Sequence, residues 1–136
     1  LKGIDKIYPP SSWVEVIQGL QAKLPHLPVV LVNGPEDQAL TGAITQALPQ
    51  VLTTAPADIG KLAAMIGAAN LLLCTDSAPM HLGVAVGTSL LALFGPTDPA
   101  KLLPSDRPQI KFVRSKVGEP IASIAPQEIL AALELV

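Results

Sequence analysis

A Rossmann-like doubly wound α/β domain is the fold class this sequence predicts, and three observations predict it. Short runs that are apolar throughout recur along the chain, the mark of strands covered on both faces of a parallel sheet. Stretches with helical periodicity lie between them, so strand and helix alternate. Proline and glycine, 14 and 10 of the 136 residues, fall at the junctions. The length fits one domain, and 49% hydrophobic residues supply one core. The crossovers are expected to be right-handed.

Taken in order, Ser11 and Ser12 are placed to cap a helix from Trp13 to about Leu24, with Trp13, Val16, Ile17, Leu20 and Leu24 on one face. Pro25 and Pro28 end it. Residues 29–32 are apolar and mostly β-branched, a buried strand. Asn33-Gly34-Pro35 makes a turn, and a helix runs from Glu36 to about Leu48. Val51-Leu52 is a short strand. Asp58 caps a helix to about Ala69, with Ile59, Leu62, Ala63 and Ile66 inward. Residues 71–75 form the next buried strand, and a helix from Ser77 to about Val86 ends at Gly87. Residues 89–94 and 110–113 are strands, separated by a long loop with four prolines. Pro126 opens a last helix to about Leu135.

Composition narrows the function. A net charge of -2 without a Lys/Arg cluster gives no electrostatic case for nucleic acid. Aromatic residues, at 3%, are too sparse for base-stacking platforms. Cys74 is the one cysteine, so no intrachain disulfide forms and a reducing, cytoplasmic setting is expected. No apolar run reaches the roughly 20 residues of a membrane span, and no basic-then-apolar segment marks a signal peptide. Two histidines and one cysteine leave few ligands for a metal, and none is expected. No G-x-G-x-x-G follows a strand and no P-loop is present. There is no G-x-S-x-G elbow, and Ser77 and His81 lie too close in sequence for the usual hydrolase pair.

Ligands of such sheets bind beyond the carboxyl ends of the strands. The loops to read therefore follow Val32, Leu52, Thr75 and Phe94. After Thr75 stands Asp76-Ser77-Ala78-Pro79-Met80-His81, where three polar side chains meet a helix start. The first amides of a helix have no partner within it, and with the dipole they form an anion site. Ser77 can add a hydroxyl donor, and His81 is one turn further on. The same residues also read as a plain N-cap with a structural histidine. After Val32, Glu36 and Asp37 either complement a helix dipole or, for Glu36, hold a ribose diol. Phe94-Gly95-Pro96-Thr97-Asp98-Pro99 is a stiff loop suited to a binding wall. Lys6 is an ordinary surface lysine unless a phosphate lies beside it. Cys74 reads as a small buried hydrophobe.

These residues together resemble the signature of glycosyltransferase family 9, the ADP-heptose:lipopolysaccharide heptosyltransferases and their relatives. That signature is roughly D-[ST]-G-x-x-H-L-A-A-A-L-G-x-P, a strand, then [FY]-G-P-T-x-P, and the spacing from Asp76 to Pro99 agrees with it. Lys6-Ile7-Tyr8-Pro9 with Trp13 resembles the family's K-x-W-P segment, and Asn33-Gly34-Pro35-Glu36 its G-G-P-x-E loop. The likeness runs from about Lys6 to Pro104.

The resemblance implies the C-terminal, donor-binding half of a two-domain GT-B enzyme. The chain, which opens on Leu1-Lys2-Gly3, is then a segment of a longer protein, and the N-terminal acceptor domain lies outside it. Asp76, Ser77 and Ala78 would bind the phosphates and sugar of a nucleotide-sugar donor, and His81 would contact one of them. Lys6 would offset the leaving diphosphate, Glu36 would hold the ribose, and Pro56, Ala57, Ile59 and Leu62 would line the nucleobase pocket. The implied chemistry is inverting transfer of a sugar, heptose being the best-known one, to a lipopolysaccharide-core or related acceptor. It uses no metal, and the general base belongs to the other domain. The full enzyme would be cytoplasmic, peripheral at the inner membrane. Ala78 stands where the family usually has Gly and Tyr8 replaces Trp. Leu1 and Lys2 do not match the phosphate-binding Ser/Thr that often precedes the lysine. Two further readings stay open: a stand-alone α/β binding or interaction module without catalysis, and a fragment of a non-hydrolysing sugar-nucleotide epimerase.

Overall fold

Five strands and five α-helices, alternating except for two successive strands within residues 90–114, make up a computed structural model that describes residues 6–134. The order is α1 (Pro10–Lys23), β1 (Val30–Val32), α2 (Gln38–Ala47), β2 (Leu52–Thr54), α3 (Ile59–Ala68), β3 (Leu72–Thr75), α4 (Ala78–Val86), β4 (Leu90–Phe94), β5 (Ile110–Arg114) and α5 (Pro126–Ala132). All pairing is parallel, in a two-stranded sheet β1-β2 and a three-stranded sheet β3-β4-β5. The alternation of apolar run and helix is thus the α/β pattern the sequence predicts. The expected helix end at Leu135, and residues Leu1 and Lys2, lie outside the described residues.

The chain groups into two compact units: residues 58–124 with the segment through Ile7, and residues 8–57 with the segment from Ala125. In the first unit β4 is the middle strand, and all five of its residues are buried. Leu90, Ala92 and Phe94 join Cys74, Met80 and Ile110 in one cluster, while Leu91 and Leu93 are buried on the opposite face of the strand. Each such leucine contributes about 1.5–3 kcal/mol by leaving water. Helix α4 lies close on this sheet because Gly83 has no side chain. A Cβ there would stand 2.9 Å from Leu72 and Leu90. Gly87 ends α4 in the left-handed region at φ 78°, where glycine avoids the usual Cβ penalty. Helix α3 packs against α4, and buried Thr88 donates from Oγ1 to the Ile66 carbonyl at 2.8 Å.

In the second unit α1 buries Val16, Ile17 and Leu20. Ile17, Ile44, Leu48 and Val51 form the core, with Trp13, Val29 and Leu31 packed against it. Tyr8 is buried edge-on to Trp13, with ring centroids 5.0 Å apart. Burial pushes its phenol pKa up; a hydrogen bond with Ser12 opposes this, and the charges of Glu15 and Glu128 add to it.

Several expectations are corrected. Helix α1 begins at Pro10, not at Trp13, with Pro9 in the cap position, so Ser11 and Ser12 are helical residues and cap nothing. Proline's fixed φ and missing N–H suit the first turn better than a serine cap requires. Leu24 is the C-cap and is exposed. Val30 and Val32, expected to be buried, are exposed, Val30 at 46%. Strand alternation turns Leu31 to the core and its neighbours away. Ile59, expected inward, is 72% exposed because it starts α3 ahead of the packed face that Ile66 occupies. The long loop contains a 3-10 turn, Pro99–Lys101, capped by the Asp98 side chain.

Candidate functional site

The turn after β3 is built by three constraints. Strand β3 pairs with β4 through Thr75↔Leu93, and the Asp76 amide still donates to the Leu93 carbonyl at 3.1 Å. The sheet therefore holds Asp76 rigidly. Ser77 then adopts extended angles, φ -157° and ψ 174°, as the N-cap of α4. Its hydroxyl does not cap the helix but donates to the Thr75 carbonyl at 3.1 Å. Pro79 sits in the first helical turn, where it removes no needed donor. The amides of Ser77 and Ala78 have no partner among the described residues. Two outward amides at the positive end of a nine-residue helix remain.

Asp76 is buried, and its Oδ2 lies 3.1 Å from the Lys6 Nζ. That oxygen has no hydrogen-bond partner among the described residues, so the ammonium faces it as a charge without the angles of a hydrogen bond. Lys6 keeps 46% of its side-chain surface exposed. Its ammonium carries three donors, and those not turned toward Asp76 face outward. A buried carboxylate thus anchors a half-exposed cation in the same unit as the α4 N-terminus. Two residues before Asp76, burial pushes the Cys74 thiol up to about 12, and the Asp76 charge adds to the shift. Cys74 is a packing residue with an inert thiol.

Lys6, Asp76, Ser77 and Ala78 are therefore the predicted site residues on which the best-defined geometry rests. His81 is exposed one turn into α4, where its backbone amide donates to the Ser77 carbonyl at 3.4 Å. The Gly95–Pro96 part of the next loop is pinned by Arg114, whose Nη2 donates to the Pro96 carbonyl at 3.4 Å. Leu62 is half-buried on α3 and Ile59 exposed. Glu36, Pro56 and Ala57 belong to the other unit. There Glu36 is exposed, Pro56 half-buried and Ala57 exposed between β2 and α3. The neighbouring Asp37 accepts the Gly34 amide at 3.0 Å, and Thr41 donates to the Asn33 side chain at 3.3 Å. The Lys6–Asp76 pairing was not legible in sequence, because 70 positions separate two residues that carry no periodic signal. Among the described residues no group of three His, Cys, Asp or Glu side chains is placed to hold a metal ion, and no helix is long and apolar enough to cross a membrane.

Comparison with known proteins agrees with the motifs. The chain is 35% identical over 114 residues to lipopolysaccharide heptosyltransferase 3 of Escherichia coli. That match takes in 80% of this chain and 33% of the relative, so the chain spans about a third of that protein's length. Solved structures share its fold. E. coli heptosyltransferase WaaC with ADP superposes with a TM-score of 0.83 at 21% identity, covering 96% of this chain and 40% of that one. E. coli ADP-heptose lps heptosyltransferase II gives 0.79 at 24%, covering 96% and 42%. The glycosyl transferase family 9 structure from Veillonella parvula DSM 2008 gives 0.78 at 20%, with the same coverage. The family model described as glycosyltransferase family 9 (heptosyltransferase) matches residues 2–121, nearly the whole chain. The chain belongs to glycosyltransferase family 9.

Proposed function

We propose that this chain is the donor-binding part of an inverting glycosyltransferase that takes its sugar from a nucleoside diphosphate sugar, with ADP-heptose as the donor and a lipopolysaccharide-core glycan as the acceptor. The observation that carries the reading is the Lys6 ammonium held 3.1 Å from buried Asp76, in one unit with the α4 N-terminus. A diphosphate needs fixed positive charge and donors that are already oriented. The Ser77 and Ala78 amides and the outward face of Lys6 supply both. The relatives support the choice of donor: one is an ADP-heptose enzyme by its description and another binds ADP.

In the proposed reaction the acceptor hydroxyl oxygen bonds to the anomeric carbon from the face opposite the diphosphate. The bond from that carbon to the diphosphate oxygen breaks, its electron pair leaves with the nucleoside diphosphate, and configuration inverts. The acceptor proton passes to a general base outside these residues. This chain's part is to stabilise the charge that grows on the leaving oxygen, through Lys6 and the helix amides rather than through a metal ion. Holding the ammonium in place beforehand avoids reorganisation during the step. The protein would act at the cytoplasmic face of the inner membrane, where such an acceptor is made.

Titration of the chain with ADP and with inorganic pyrophosphate tests the site. Both are expected to bind, and Lys6→Gln is expected to weaken both by about tenfold, the loss of one charge-assisted contact. His81→Ala is expected to weaken ADP as well. Equal affinity in the native chain and both variants, or no binding at millimolar ligand, would remove the phosphate grip as drawn. The 136-residue chain alone is expected to transfer no sugar, and measured turnover from it would overturn the assignment of the base to another part of the protein.

A further inference from the structure

The chain has two arginines, Arg107 and Arg114, and both line one open cavity of about 360 Å³ beside β5. Ile110, Phe112 and Arg114 form one wall. They are alternate residues and so share a face of the strand. The opposite wall comes from the segment that starts at Asp98 and includes Leu103. No residue of the 75–81 turn takes part.

Three properties of the lining point to a ligand. Phe112 is 51% exposed, although the sequence has so few aromatic residues. Its ring is braced edge-on by Phe94, with centroids 6.1 Å apart, while half its surface stays open. Each guanidinium is tethered by one hydrogen bond to a backbone carbonyl: Arg107 Nη1 donates to Val84 at 3.0 Å, and Arg114 Nη2 to Pro96 at 3.4 Å. Neither arginine forms an ion pair among the described residues. A tethered fork keeps its remaining N–H groups for a planar acid, and little freedom is lost when it binds. Asp98 is the one carboxylate in the lining, and it accepts the Ala100 amide at 3.0 Å. The lining therefore combines two anchored cations with a half-open aromatic ring.

A bare anion would use the arginines and leave the ring idle. A neutral sugar would use the ring and leave the arginines idle. A saccharide with acidic substituents uses all three, because its ring has an apolar face and its acids suit guanidinium forks. The volume falls within the range of small-ligand sites, and an open groove suits a ligand that stays partly hydrated. We infer that the β5 groove is a second ligand site, which takes a saccharide bearing phosphate or carboxylate groups. In the transferase reading, on which the choice of a saccharide rests, this is an acceptor-side contact. Phe112 lies under a sugar ring, and Arg107 and Arg114 hold its acids.

The test is an amide-resolved NMR titration of the isotope-labelled chain with glucose 6-phosphate, glucuronate, glucose, inorganic phosphate and AMP. Glucose 6-phosphate or glucuronate is expected to shift the signals of residues 107 and 110–114, and which one binds tighter tells phosphate from carboxylate. Glucose and inorganic phosphate are expected to bind about tenfold more weakly, each lacking one of the contacts. Phe112→Leu, which keeps an apolar side chain if Phe112→Ala fails to fold, should weaken the acidic sugars and leave ADP shifts at residues 75–81 unchanged. Inorganic phosphate binding as well as glucose 6-phosphate, tighter binding of AMP, or unchanged affinity in Phe112→Leu would each overturn the site. A groove that responds while the 75–81 signals ignore ADP would sink the donor reading and leave this one standing.

Discussion

Residues 33–37 and 75–77 do the same topological job: each carries the chain from the carboxyl end of a parallel strand toward a helix. Each contains a carboxylate and further polar side chains, and from sequence each could bind a ligand. Their polar atoms are used differently. In the first turn Asp37 accepts the Gly34 amide at 3.0 Å, and Thr41 donates to Asn33 at 3.3 Å, so the turn satisfies itself. In the second turn Asp76 bonds nothing locally through its buried Oδ2 and instead faces Lys6 at 3.1 Å. The amides of Ser77 and Ala78 are left over. The surrounding units differ in the same sense. Strand β4 behind the second turn is buried along its length, whereas β1 before the first is exposed on one face. Unused polar groups persist where the scaffold around them is rigid enough to hold them. A turn that closes on itself needs no such support.

The sharpest break of this comparison lies in the strands. Leu91→Ala in β4 removes a side chain that is 1% exposed, and it should cost about 2–5 kcal/mol through lost burial and the cavity left behind. Val30→Ala in β1 should cost less than about 1 kcal/mol, since the side chain keeps much of its water in the fold. Denaturant unfolding of both variants gives the two numbers. Equal costs would mean that the exposed face of β1 is covered in solution.

The strand before the second turn adds a pH test. Burial raises the Cys74 thiol from its usual 9.0 to about 12. The folded state thus holds that proton more tightly than the unfolded one does. The associated stability is fully present below pH 9 and is lost as pH rises toward 12. The loss is on the order of a few kcal/mol. Cys74→Ala should be less stable at neutral pH and should flatten the alkaline limb of the stability curve. A limb unchanged in that variant would assign the loss to other groups. Tyr8, whose phenol is raised from its usual 10.0 in the other unit, is the control: Tyr8→Phe should leave the curve below that pH unchanged.

What the sequence showed and what it hid follow from the range of the forces involved. The α4 segment was legible at both ends, because its N-cap Ser77 and its left-handed C-cap Gly87 are local choices of backbone geometry. The Asp58 cap was legible for the same reason, and its side chain accepts the Lys61 amide at 2.8 Å. At α1 the local rule misled. Two serines look like caps, but proline at the first helical position sets the start. The exposure of Val30 and Val32 was hidden because apolar composition does not say whether a second layer covers a strand. In the site, each residue of the 75–81 turn was readable as a type. The partner of Asp76 and the self-bonding of Asp37 were not, since both depend on side-chain directions that no spacing encodes. The groove beside β5 was missed although its signal was present: of the only two arginines, Arg107 precedes the alternating Ile110, Phe112, Arg114 pattern and Arg114 ends it.

The smallest effects sharpen the comparison most, because they separate two adjacent carboxylates in one turn. Asp37→Ala deprives the Gly34 amide of its acceptor and should cost about 0.5–1.5 kcal/mol, the net worth of one hydrogen bond. Glu36→Ala removes an exposed side chain for which no hydrogen bond or ion pair is found among the described residues, and should stay within about 0.5 kcal/mol of the native chain. Thermal and denaturant unfolding measure both. If the two costs reverse, the first turn is not held by its own hydrogen bonds and the contrast with residues 75–77 fails. If they fall as expected, an ADP titration of Glu36→Ala becomes informative. A carboxylate whose removal leaves the fold untouched yet lowers nucleotide affinity is one kept for a ligand, and the first turn would then hold one group in reserve beside one that closes it.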